Sequence, residues 1–100
     1  MPRPNDAPGA AKEATLNSWE EASFPTWSFW GMTTAQLYNT GNTTVTVRLT
    51  SGAGEEFVAL DPGEDARQKG RWGGLPLFVA NVTQRDEANN QFPQVEVWVW

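Results

Sequence analysis

The side chains that most often carry chemistry are scarce in this sequence. Its 100 residues include no histidine and no cysteine. That removes the commonest general base, the Ser-His-Asp arrangement, imidazole and thiolate metal ligation, and a cysteine nucleophile. Carboxylates remain. Asp61, Glu64 and Asp65 gather about a Pro-Gly turn, and Asp86, Glu87, Asn89 and Asn90 share a second polar stretch. Oxygen ligands of this kind suit calcium, yet each group falls short of the about six to eight oxygens that the ion takes. Neither matches a defined calcium motif, so both read as solvated loops and no metal site is expected. No spacing places a pair of carboxylates for acid and base work. The expectation is a protein with no catalytic residues, no cofactor and no enzymatic activity.

Two other sets of side chains can bind rather than react. Arg67, Lys69 and Arg71 recur at a spacing of two, which puts them on one face of an extended segment, able to grip a phosphate, a sulfated sugar or an acidic partner. The competing reading, and the favoured one, is that these charges protect a sheet edge from further pairing. The second set is aromatic: Trp19, Phe24, Trp27, Trp30, Trp72, Trp98 and Trp100. Indoles bury large areas while keeping one donor, which suits interfaces and ligand platforms as much as cores.

Charge narrows the partners. A net charge of −5 argues against sequence-independent nucleic-acid binding, which needs a cationic surface. Anionic lipid surfaces are disfavoured for the same reason. No apolar run is long enough to span a bilayer, and Met-Pro-Arg-Pro-Asn-Asp lacks the layout of a signal peptide, so no membrane span is expected and the compartment stays open between virion and extracellular settings. The Asn42-Thr43-Thr44 and Asn81-Val82-Thr83 sequons read as chance matches.

The elements that position these residues are strands. Gln94-Val95-Glu96-Val97-Trp98-Val99-Trp100 alternates valines against polar and indole side chains, so both of its faces call for cover. Val45, Val47 and Leu49 face inward against Thr44, Thr46, Arg48 and Thr50. Met32–Asn39 and Glu56–Leu60 make two further strands, Asp61-Pro62-Gly63-Glu64 a type II turn, Asp65–Trp72 a charged edge strand, and Leu75–Thr83 a central strand apolar on both faces. Ahead of these six strands, Met1–Gly9 holds three prolines and cannot build a core. Ala10–Ala22 has the alanine, lysine and glutamate content of a short helix. The Phe24–Gly31 stretch is core or contact surface.

The fold expected is all-β, a small antiparallel β-sandwich or jelly-roll-like barrel, with residues 1–23 an extended arm carrying at most one short helix and residues 24–100 the sandwich. The function expected is that of a structural or interaction module in a homo-oligomer or larger lattice, assembled through the arm. Its most concrete form is a virion accessory or capsid-decoration protein. The alternative is a carbohydrate-binding module that uses exposed tryptophans, with a glycan as partner.

Overall fold

The computed structural model describes residues 11–26, 33–52, 54–70 and 75–100. Strands of alternating character pair their apolar sides into two antiparallel sheets. They are β1 (Lys12–Asn17), β2 (Glu21–Phe24), β3 (Thr33–Asn39), β4 (Val45–Ser51), β5 (Gly54–Leu60), β6 (Asp65–Gly70), β7 (Leu77–Asn81) and β8 (Gln94–Val99). One sheet runs β1-β8-β3-β6 and the other β2-β7-β4-β5. Consecutive strands β1 and β2 lie in different sheets, as do β3 and β4, β5 and β6, and β7 and β8. This is the winding of a jelly roll, in which two Greek keys fold over one core.

The core is built as the alternation requires. Leu16, Val95, Val97, Val99, Ala35 and Leu37 line one inner face, and Phe24, Leu77, Val79, Val45, Val47, Leu49 and Leu60 line the other. Val45 sits opposite Leu60, and Leu49 opposite Val79, so neighbouring strands present their apolar residues at the same level. β7 is central, between β2 and β4, as its apolar composition predicts. The charged strand β6 is at the edge of its sheet.

Three expectations need correction. Residues 11–22 of the expected helix do not form one. Lys12–Asn17 is a strand paired with β8, and Glu21–Phe24 a strand paired with β7. An isolated helix of that length is marginal in water, whereas the same residues as strands bury Leu16 and Phe24 and complete the hydrogen bonding of β8 and β7. Among the described residues the sandwich therefore has eight strands rather than six, and residues 12–17, expected in the arm, are part of it. Third, Trp98, expected among the interface or ligand-binding residues, finds its cover within the chain. It is 1 % exposed, and its Nε1 donates to Glu13 Oε2 at 2.9 Å, across the β1–β8 pair. The expected arm over residues 1–10, and Trp27, Trp30, Arg71 and Trp72, lie outside the described residues.

Two buried amides join strands to turns. Asn39 Nδ2 donates to Thr43 O and to Leu60 O, both at 2.8 Å, and its Oδ1 accepts from Gly41 N at 2.9 Å. Asn81 Nδ2 donates to Leu16 O at 3.2 Å and its Oδ1 accepts from Thr83 N at 3.2 Å. Asn81 is thus committed to the interior, which removes its sequon from consideration. No helix among the described residues is long and apolar enough to cross a membrane.

Candidate functional site

The antiparallel winding carries the β1–β2, β3–β4, β5–β6 and β7–β8 connections to one end of the sandwich. Loops at one end of such a scaffold are where binding residues usually sit. Two of these connections are built alike. In Asp61–Glu64, Glu64 N donates to Asp61 O at 2.9 Å, Glu64 Oε1 accepts from Asp61 N at 2.7 Å, and Gly63 takes a φ of 83°. In Asn17–Glu20, Glu20 N donates to Asn17 O at 3.1 Å, Glu20 Oε1 accepts from Asn17 N at 2.7 Å, and the residue with positive φ, 63°, is Trp19.

That position of a type II turn favours glycine, because a Cβ crowds the backbone in the left-handed region. Trp19 is there without burying its ring. It is 62 % exposed; its backbone N–H donates to Asn81 O at 2.8 Å and its indole Nε1 to Gln84 Oε1 at 3.3 Å. Its side chain therefore does little for folding, while its backbone conformation costs free energy. Strained residues of this kind concentrate at functional sites.

Beside Trp19 the turn meets the long β7–β8 loop. Ser18 Oγ donates to Thr83 O at 2.6 Å and accepts from Arg85 N at 3.1 Å. The Arg85 guanidinium lies 5.3 Å from the centre of the Phe92 ring and pairs with Glu87. Phe92, itself exposed, separates two adjoining clefts of about 300 Å³ each. Asn17, Thr40, Gly41, Asn42, Phe92, Pro93 and Gln94 line one; Asn17, Ser18, Arg85, Phe92 and Pro93 line the other.

The polar groups of the first cleft brace one another. Gln94 Nε2 donates to Asn17 Oδ1 at 3.0 Å, and Thr40 Oγ1 donates to Gln94 Oε1 at 2.9 Å. Asn42 Nδ2 donates to Asn90 O at 2.7 Å while its Oδ1 accepts from Phe92 N at 2.8 Å. Gly41 lies so close to the β7–β8 loop that a Cβ there would be 2.5 Å from Phe92 O and 2.7 Å from Gln94 N. Asp86 accepts from Asn89 Nδ2 at 2.7 Å and from Asn89 N at 3.2 Å, and these bonds, the side-chain one first, hold its pKa below the ordinary value. The result is a shallow polar groove with aromatic surfaces, positioned in advance by its own hydrogen bonds.

The residues expected to act are distributed unevenly. Of the described members of the aromatic set, only Trp19 joins this end as an open side chain. Phe24 is core, Trp98 is buried, and Trp100 is half-buried, its ring 5.7 Å from the Arg67 guanidinium. Arg67 and Lys69 are on the exposed face of the edge strand β6, where Arg67 Nη2 also donates to Gln36 Oε1 at 3.1 Å. The Asp61, Glu64 and Asp65 carboxylates do not converge. Thr44 Oγ1 donates to Asp61, the Asp61 amide to Glu64, and Gln36 Nε2 to Asp65. Among the described residues no three acidic side chains gather as metal ligands do. Phe92, Arg85 and the amides of Asn17, Asn42 and Gln94 were missed from the sequence, where only their loop composition marked them.

The arrangement defines a class by fold: an eight-stranded antiparallel jelly-roll sandwich with a polar, aromatic-rimmed loop end. No family model and no curated protein matches the chain. Among solved structures it is similar to a de novo designed double-stranded β-helix determined by solution NMR, at 16 % identity and a TM-score of 0.46 over 89 % of this chain and 94 % of that one. It is also similar to PirA, seen in a crystal structure, at 10 % identity and a TM-score of 0.53 over 96 % of this chain and 98 % of that one. At these identities the likeness concerns the fold alone.

Proposed function

We propose that the chain is a non-enzymatic binding module that takes a carbohydrate on the Trp19–Phe92 end of the sandwich. The observation that carries this reading is the exposed indole of Trp19, held at a position where glycine would be preferred. Sugar rings present an apolar face that packs on an aromatic plane and a ring of hydroxyls that pair with amides. The loop end offers both, with Phe92 as a plane in the clefts, Trp19 as a second plane next to the lining residue Ser18, and Asn17, Asn42 and Gln94 as amides already braced. Without histidine or cysteine, and with no converging carboxylates among the described residues, nothing there suggests turnover.

The assembly reading has less support. It rested on a core-less arm, on a terminal strand that calls for cover on both faces and on the small size of the domain. Residues 1–10 of the arm lie outside the described residues, and on the outer face of β8 Trp98 is already buried and Trp100 half-buried. The test is a glycan array followed by calorimetric titration of the hits with the full chain and a Trp19→Ala variant. Covering roughly 60 Å² of indole at about 25 cal/mol/Å² is worth about 1.5 kcal/mol, so the variant is expected to bind about tenfold more weakly. An array with no hits, or a variant that binds as the parent does, overturns the proposal.

A further inference from the structure

We propose that the chain pairs with a second copy of itself through the edges of β5 and β6, by a two-fold seam that extends both sheets. This inference is independent of the carbohydrate reading, because the strands concerned carry none of the groove residues. β5 ends one sheet and β6 ends the other, and the Asp61–Glu64 turn joins them on the same side of the sandwich. Within the chain each pairs on one side only among the described strands, β5 with β4 and β6 with β3. Edge strands offer backbone donors and acceptors to another chain, and charge is a common means of refusing it. Here the two edges carry opposite charge. Glu55 and Glu56 are on β5, and Arg67 and Lys69 on β6.

A two-fold axis parallel to the strands sets β5 of one copy beside β6 of the other, and the reverse, in both seams at once. The pairing is antiparallel, because β5 and β6 run in opposite directions from their turn. Such an axis leaves heights along the strands unchanged, so residues equally far from the turn meet. Outward-facing residues must meet outward-facing ones, since opposed residues in a sheet share a face. Equal height and matched faces are met to within one residue by two registers, and the one that opposes charges of described residues sets Glu55 of one copy against Lys69 of the other, Phe57 against Arg67, and Ala59 against Asp65. Phe57 is 58 % exposed in the single chain, and the aliphatic stem of Arg67, whose guanidinium stays with Trp100 and Gln36, gives it cover. The inward-facing Val58 and Ala66 meet as an apolar pair, continuous with the core. β5 placed against β5, by contrast, would oppose acidic residues.

The test measures self-association of the full chain by sedimentation velocity over a wide concentration range. Glu55→Lys and Lys69→Glu are the informative variants, and both sites are exposed. Each alone replaces an attractive pair with a repulsive one, entered twice by symmetry, and is expected to weaken dimerisation about tenfold or more. Mixing the two single variants restores both seams, because each copy then faces its complement. The double variant, with the charges exchanged, restores them in the homodimer. A parent chain that stays monomeric throughout refutes the proposal. So do single variants that dimerise like the parent, and a mixture that associates no better than its components.

Discussion

Replacing Trp19 with glycine removes the largest exposed side chain of the loop end, and the protein is expected to become more stable. The backbone at Trp19 has a φ of 63° in a turn whose hydrogen bonds reproduce those around Gly63. Holding a residue with a Cβ in that region costs about 1–2 kcal/mol. Against the relief stands the extra freedom that glycine gives the unfolded chain, about 0.5–1 kcal/mol. Loss of the exposed indole bond to Gln84 adds a few tenths. The Trp19 N–H bond to Asn81 O survives the substitution, since it is made by the backbone. The net expectation is a gain of about 0.2–0.7 kcal/mol, or a rise in Tm of about 1–4 °C for a domain of this size. Trp19→Ala is the control. It loses the same indole and keeps the strained backbone, so it should be less stable than the glycine variant by about 1 kcal/mol. Thermal and urea unfolding of the three proteins, alongside glycan binding, separates the two roles. A glycine variant less stable than the parent by about 1 kcal/mol would refute the reasoning, because the indole would then be holding the fold together. Gain of stability with loss of binding is the outcome expected of a residue retained for function.

Other outcomes follow from the same geometry. Asn39→Ala removes the amide donor from Thr43 O and Leu60 O at a site 1 % exposed, while Gly41 N keeps its bond to Gln94 O, and should cost about 2–4 kcal/mol in urea unfolding. Asn39→Asp sets a carboxyl against two carbonyl oxygens, which raises its pKa. That variant is therefore least destabilised below the ordinary carboxylate range and loses stability as pH rises, a slope that the parent should lack. Gly41→Ala drives a Cβ into Phe92 O and Gln94 N, so it should shift the backbone resonances of 92–94 and weaken glycan binding even where the fold survives. Asp86 behaves in the opposite sense to the Asn39→Asp carboxyl. Its pKa lies below 3.8 because Asn89 bonds its ionised form, so the order that it lends the loop persists above about that pH and is lost as pH falls through the lowered value. Amide chemical shifts of Asn89 should follow that titration, and Asp86→Asn should abolish it.

Much of the sandwich was legible because alternation is a local signal. Val45, Val47 and Leu49, or Val95, Val97 and Val99, state which face is buried whatever lies opposite, and Pro62-Gly63 states its turn. The charges of β6 announced an edge strand for the same reason. Lys12–Asn17 was misread because its alanine, lysine and glutamate favour a helix in isolation, and only the open sides of β8 and β7 give residues 12–24 a better place as strands. A chain cut at residue 18 would accordingly lose β1 and Leu16 from the core, rather than shed a dispensable arm.

The groove lay beyond the sequence for a different reason. Asn17, Asn42, Arg85, Phe92 and Gln94 are 77 positions apart at the extremes, and they meet because the jelly-roll winding brings alternate connections to one end. Trp19 could be named from composition as a residue to watch. That its backbone is strained and its ring open while Trp98 is buried depends on which strand ends where, and on the neighbours that each strand finds. Residue types and their periods determined the faces, the turns and the absence of thiol and imidazole chemistry. Which aromatic is core and which is surface was decided only by tertiary pairing, because burial is a property of what lies opposite a side chain and not of the side chain itself.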